Sequence, residues 1–403
     1  MKRPAALTLA LVITLSALAG CSGKVPGSSA DPGSSSGSAP GSSSEGPGAV
    51  QPMDLTGVSD PYLSTAGMPG STVVATVGGA DITAAEVLYW LNSNAVAYLD
   101  QFQGYLTEIP WDTQLEEGTL GSQLRDGALE AAAFYRMINL TAGKEGLSPS
   151  TDIDASLEQE FADLTEQLGS EEAVTYVFWS NLLTRDQLSY LNRSSDLYLQ
   201  LQELYYGENS GHYPTDAEVM AWLDENGYFR VKHILLMTVD QNTRTPLDDE
   251  TIAEKKASAA DLLSQLQAAE DPIALFDQLM QEHSEDGGLI ANPNGYIFNE
   301  TDSLVGGFRE AALALDVGEI SDVVETDYGF HIMLRLPIDP KDYRVKVVQS
   351  RMQERADQWK TEYPVEKTAA FEQIDPASFW EQRTALKAAV DAVIKSSSSS
   401  SQG

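Results

Sequence analysis

The sequence predicts an α+β protein: a small central sheet with flanking helices, inserted in or following an all-α region. Three observations carry this. From residue 72 to 227, apolar residues recur at helical spacing behind capping sequences. At Tyr228 the pattern changes to short apolar runs, Val231 to Val239 and Phe330 to Leu336, with amphipathic helices between them. After Pro337 the helical spacing returns.

Taken in order, Thr72 to Ile82 reads as a strand and turn, with Gly78-Gly79 at the turn. Thr83-Ala84-Ala85-Glu86 is a capping box, in which the Thr hydroxyl and the Glu carboxylate each satisfy an orphan backbone N–H. Behind it Val87, Leu88, Leu91, Ala95, Leu99 and Phe102 keep helical spacing. Leu124 to Thr141 is a second helix. Ile153, Leu157, Phe161, Leu164 and Leu168 mark a third, ended by Gly169. Thr184 caps a long helix to about Tyr206, and Thr215 a short one ending at Gly227.

The second segment opens with the strand from Val231. Helices follow at Ile252 to Leu266 and Phe276 to His283, a brief strand at Ile297-Phe298, and a helix from Phe308 to Leu315. Val323-Val324 and Phe330 to Leu336 close it as strands. Tyr343 to Tyr363 and Phe379 to Ile394 are helical again. The domain map is a leader over 1–20 and a Gly/Ser/Pro-rich tether over 21–71. A helical domain covers 72–227 and an α+β domain 228–337. C-terminal helices over 338–395 pack on the first domain, and a disordered tail spans 396–403.

Acidic residues outnumber basic ones 60 to 25, a net charge of −35. That excludes general nucleic-acid binding, which needs Lys and Arg to neutralise phosphates. It equally disfavours docking on anionic lipid through basic patches. The single cysteine, Cys21, rules out an intrachain disulfide. Met1-Lys2-Arg3 is a basic start, Ala6 to Leu18 an apolar run too short for a comfortable membrane span, and Leu18-Ala19-Gly20-Cys21 resembles a bacterial lipobox. The resemblance implies lipidation of Cys21 and cleavage before it. Residues 22 to 71 would then be a tether with a reach of roughly 35–42 Å.

His233 and His331 each lie in an apolar, strand-like run. A buried imidazole needs partners for its polar nitrogens. Two of them suggest one site in which neighbouring strands let the imidazoles share a hydrogen bond and fix each other's tautomer. Thr326, Tyr328 and Asp286 are candidate further members, with Leu304, Phe308 and Met237 around them. No nucleophile elbow, zinc helix or phosphate-binding glycine loop accompanies them.

Five pieces then occur in order: Val231-Lys232-His233-Ile234-Leu235, Glu282-His283-Ser284-Glu285-Asp286, Phe308-Arg309-Glu310-Ala311-Ala312, Gly318-Glu319-Ile320-Ser321 and Tyr328-Gly329-Phe330-His331-Ile332. This series resembles the parvulin-type peptidyl-prolyl isomerases over Tyr228 to about Leu336. The segments at 77–83 and 214–219, with the lipobox, resemble the extracytoplasmic foldases related to PrsA and SurA. The resemblance implies a parvulin-like fold and isomerisation of X-Pro bonds in unfolded or newly translocated polypeptides. It also implies a lipid anchor at Cys21 in the bacterial cell membrane, and no cofactor or metal. It places His233, Asp286, Thr326, Tyr328 and His331 at the catalytic network, with Leu304, Phe308, Met237 and Phe298 binding substrate. The sequence departs from the family in reading Asn294-Gly295-Tyr296-Ile297-Phe298 where a Gly-rich Leu-Gly-x-Phe strand is usual, and in having Leu304 at a pocket Met position. The alternative function is a holding chaperone whose parvulin domain binds clients without catalysis.

Overall fold

The computed structural model describes residues 51–102 and 105–400. Cys21, the leader and the first part of the tether lie outside the described residues. Chain contacts divide the described part into two compact units. Unit 1 comprises the described residues up to Ser210 together with those from Met352 onward, and unit 2 is Gly211–Arg351. The divisions therefore fall at 210/211 and 351/352, and not at 227/228 and 337/338.

Unit 1 begins with α1 (Pro61–Ala66), then the strands β1 (Val73–Val77) and β2 (Ala80–Thr83). Gly78 and Gly79 form the tight turn with φ of 56° and 80°, a left-handed backbone that glycine adopts at little cost. Five helices follow: α2 (Ala84–Gln101), α3 (Leu120–Lys144), α4 (Asp152–Leu168), α5 (Glu171–Ser180) and α6 (Arg185–Tyr206). The Thr83 capping box forms, with Glu86 accepting from the Thr83 N–H at 2.8 Å and its hydroxyl at 2.9 Å. Gly169 ends α4 in the left-handed conformation, and the Thr184 hydroxyl caps α6.

Unit 2 contains α7 (Asp216–Glu225), β3 (Phe229–Met237), α8 (Asp249–Ala268), α9 (Pro272–His283), β4 (Tyr296–Phe298), α10 (Phe308–Ala314), β5 (Val324–Thr326) and β6 (Gly329–Leu336). Its sheet order is β4-β3-β6-β5 with every neighbour antiparallel. Strand alternation sorts the side chains. Ile234, Leu236, Phe330, Ile332 and Leu334 bury one face against α8 and α9. Phe229, Val231 and Met333 bury the other against Phe308 and Ala312 of α10. α7 belongs to this unit because Val219 and Leu223 pack with Tyr228, Ile338 and Val347.

α11 (Arg344–Glu362) carries the chain back to unit 1, which β7 (Val365–Lys367) and α12 (Pro376–Ser400) complete. β7 adds to β1, giving the sheet β2-β1-β7. The unit 1 core gathers Val74, Ile82, Leu88, Leu91, Ile138 and Leu201 with Met352, Trp359, Phe371, Phe379 and Leu386 from the returning segment.

Two further expectations are corrected. Residues 51–71 are not all tether: Met53 and Leu55 pack on the core, and Tyr62 is 3% exposed with its hydroxyl donating to Gln187 at 2.8 Å. Asp60 caps α1 and Gly67 ends it, a short helix whose signals sit inside Ser- and Gly-rich sequence. The serine run from 396 continues α12 to Ser400 and does not begin a disordered tail there. α5 and β7, which no reading of the sequence anticipated, are short and weakly patterned.

Candidate functional site: a histidine pair beneath an apolar groove

β3 and β6 are direct antiparallel neighbours, but the histidines are diagonal and not opposite. His331 pairs with Leu235, and His233 with Met333. All four side chains therefore share the α10 face. The diagonal offset stacks the rings with centroids 5.3 Å apart and planes 21° from parallel. It brings the two Nδ1 atoms to 3.1 Å.

The remaining nitrogens have partners on either side. His233 Nε2 lies 3.0 Å from Asp286 Oδ2. His331 Nε2 lies 2.9 Å from Thr326 Oγ1. Asp286 follows α9 and also accepts from the Gly288 N–H at 3.0 Å and from the Tyr296 hydroxyl. A carboxylate only accepts, so His233 donates from Nε2 to Asp286. When His233 is a neutral imidazole, its Nδ1 accepts from His331 Nδ1–H. His331 Nε2 in turn accepts the Thr326 hydroxyl proton. One direction of donation thus runs Thr326 → His331 → His233 → Asp286, with Tyr296 donating to the same carboxylate.

The electrostatics bear on the carboxylate, on His331 and on Tyr296. Burial pushes the Asp286 carboxyl up, but hydrogen bonds from His233, Tyr296 and Gly288 outweigh it and hold the group well below the carboxylate range. Burial, and then the neighbouring His233, press His331 down to about 3, so it is neutral at neutral pH. Burial and the adjacent carboxylate raise the Tyr296 phenol, which keeps it a donor.

Above this chain opens a groove of 560 Å³. Met237, Phe298, Leu304 and Phe308 line it, as do His233, Asp286, Tyr328 and His331. Phe308 is 4% exposed and sets its ring edge-on to both histidines, 5.3 Å from each. Thr326 is not among the lining residues; it stands behind His331. Tyr328 is placed differently from expectation. Its backbone N–H donates to Thr326 Oγ1 at 3.2 Å, and its ring lies under the Arg244 guanidinium at 4.7 Å. Among the described residues the histidine chain runs through the Thr326 hydroxyl and not through that of Tyr328. His233, Asp286, Thr326 and His331 are brought into one network, and the four apolar candidates into one groove wall.

Sequence reasoning missed Tyr296 and Arg244. Tyr296 was legible in principle: it stands two residues before Phe298, so strand alternation sends both rings to one face, where they stack 5.7 Å apart. Arg244 lies in a loop with φ of 58°, and nothing in the sequence marks that conformation.

Comparison with known proteins gives the following. Residues 233–336 match the rotamase family model, described as the PPIC-type PPIASE domain. A foldase protein PrsA of Oceanobacillus iheyensis is 27% identical over 193 residues, covering 47% of this chain and 48% of the relative. A foldase protein PrsA of Clostridium perfringens is 22% identical over 326 residues, covering 73% and 85%. A crystal structure of the foldase protein PrsA from Lactococcus lactis aligns over 77% of this chain and 99% of its own at 16% identity, with a TM-score of 0.27. The chain spans about half or less of the length of several curated relatives it matches. Residues 233–336 therefore match the PPIC-type PPIase domain, in a chain that is similar to PrsA foldases.

Proposed function

We propose that the protein is a lipid-anchored extracytoplasmic foldase that binds unfolded secreted polypeptides and catalyses cis/trans isomerisation of their X-Pro bonds. The observation that carries this reading is the hydrogen-bond chain through the two histidines beneath a groove with an apolar wall. Rotation about an amide meets a barrier of about 18–20 kcal/mol, because the planar form is stabilised by resonance that places charge on oxygen and nitrogen. The twisted form has lost that charge separation. An apolar enclosure therefore favours the twisted amide over the planar one, which is differential binding of the transition state. Leu304, Phe308, Met237 and Phe298 supply the enclosure for the proline ring.

The histidines hold the floor of that groove. His331, buried and neutral, puts no charge on that floor, and Arg244 is the one cation among the described lining residues. Asp286 carries charge, but donors from His233, Tyr296 and Gly288 occupy it. The chain makes no covalent bond and moves no proton. His233, Asp286, Thr326 and His331 act as positioning residues, Tyr328 supports the wall beside them, and Cys21 provides the anchor.

Protease-coupled isomerisation of X-Pro peptides by the full chain tests the reading, with His331→Ala and Phe308→Ala beside it. Acceleration that both substitutions abolish supports it. A folded protein with no acceleration moves the function to a holding chaperone that uses the groove for binding. Mass spectrometry of the N-terminal peptide for a thioether lipid on Cys21 tests the anchor.

A further inference from the structure

Unit 1 contains a groove of 1360 Å³ that the isomerase site does not use. Its walls are the segment 52–58, the turn joining α4 to α5, and the last described turns of α12. Met53, Leu55, Tyr176, Val393 and Ile394 give it an apolar floor. Asp54, Glu166 and Glu172 are exposed along its rim. Among the described residues no Lys, Arg or His lines it. Among the described residues none of these three carboxylates makes an ion pair. Glu172 accepts only the Tyr176 hydroxyl, at 3.0 Å.

We propose that this groove is the docking site for an apolar polypeptide segment flanked by basic residues. Its volume exceeds the roughly 300–1,000 Å³ of small-molecule sites and suits a stretch of chain. The unpaired acidic rim around an apolar floor is complementary to a hydrophobic stretch with Lys or Arg at its ends. A second copy of this chain fits poorly, since it would bring a net charge of −35 to an acidic rim. An anionic lipid surface is repelled for the same reason. The proposal deepens the foldase reading and rests on it for the supply of unfolded clients.

Fluorescence anisotropy of labelled peptides with the full chain tests this. The peptides share one apolar core and differ only in flanking Lys, Gln or Glu. The Lys-flanked peptide is expected to bind tightest and the Glu-flanked one weakest. The spread is at least about fivefold at low salt, the scale of one or two exposed ion pairs, and shrinks as salt rises. Glu166→Lys with Glu172→Lys levels or inverts the order. Ala392→Trp, which fills the groove from an exposed lining position, weakens all three. Affinity indifferent to the flanks, or unaltered by Ala392→Trp, overturns the proposal. So does self-association of the chain that Ala392→Trp dissolves. Isomerisation is measured on the same samples. Its loss together with retained flank preference sinks the foldase reading alone, and the converse sinks only this inference.

Discussion

Replacing Thr326 with Val keeps the shape of the side chain and removes the proton that starts the hydrogen-bond chain. His331 is 3% exposed, so its Nε2 would be left without a donor and without water. A buried acceptor so orphaned costs about 1–3 kcal/mol. The Tyr328 N–H loses its acceptor as well, adding roughly 1 kcal/mol. All four histidines fall within 211–351, so histidine-selective nitrogen-15 labelling reports unit 2 alone. In the unaltered protein the ring spectra are expected to show opposite tautomers, His331 protonated at Nδ1 and His233 at Nε2. Urea titration of those ring signals should show Thr326→Val less stable by about 2–4 kcal/mol, the sum of those two losses. Thr326→Ser, which keeps the hydroxyl, should recover most of it. A destabilisation under about 0.5 kcal/mol, or a wild-type His331 protonated at Nε2, would refute the assigned direction.

His331 is held neutral to about 3 in the folded state, against an ordinary value near 6.5. As pH falls below about 6.5 the unfolded chain takes up a proton that the folded one refuses, so this contribution to stability is full above that pH and lost toward pH 3, at up to about 1.4 kcal/mol per pH unit; urea midpoints of unit 2 at pH 7, 5.5 and 4.5 check the sign. Phe308→Ala removes a 4%-exposed ring from between both histidines and should cost about 3–5 kcal/mol of unit 2 stability along with isomerisation, read by the same ring signals and the coupled assay. Gly329 has φ of 147°, and a Cβ there would meet the Leu236 carbonyl oxygen at 2.1 Å, so Gly329→Ala should displace the start of β6 and alter the His331 ring shifts. Arg383 is 7% exposed, its Nε lacks a partner, and burial presses it down to about 10, so Arg383→Met should leave the melting temperature of unit 1 unchanged or higher.

The helical boundaries were legible where capping chemistry and periodicity agree. Thr83, Thr184 and Thr215 each stand at the start of the helix their side chains announce. The histidine pair was legible because two polar rings in apolar strands demand a common explanation. The offset between them was not, because register depends on which residues bond across the sheet, and neither strand records that alone. Tyr328 was misplaced for a related reason: sequence adjacency to the strand says nothing of whether a turn residue points its hydroxyl at the site. α1 was hidden by composition, since its buried Tyr62 is held by Gln187, a residue 125 positions away.

The return of the chain to unit 1 also sets an order of assembly. β1 cannot gain its second neighbour until residues 365–367 exist, nearly three hundred positions later. The Thr368 N–H then bonds the Val74 carbonyl at 2.9 Å. Phe371, Phe379 and Leu386, all fully buried in the same core, arrive later still. Unit 2 is contiguous and can close while unit 1 is still waiting for the residues from Met352 onward. For a polypeptide emerging N-terminus first, unit 2 would be complete before the part of the molecule that surrounds it in sequence. Completion of unit 1 therefore waits on residues 365–386, and a chain cut before residue 365 would keep a finished unit 2 attached to a sheet with an open edge.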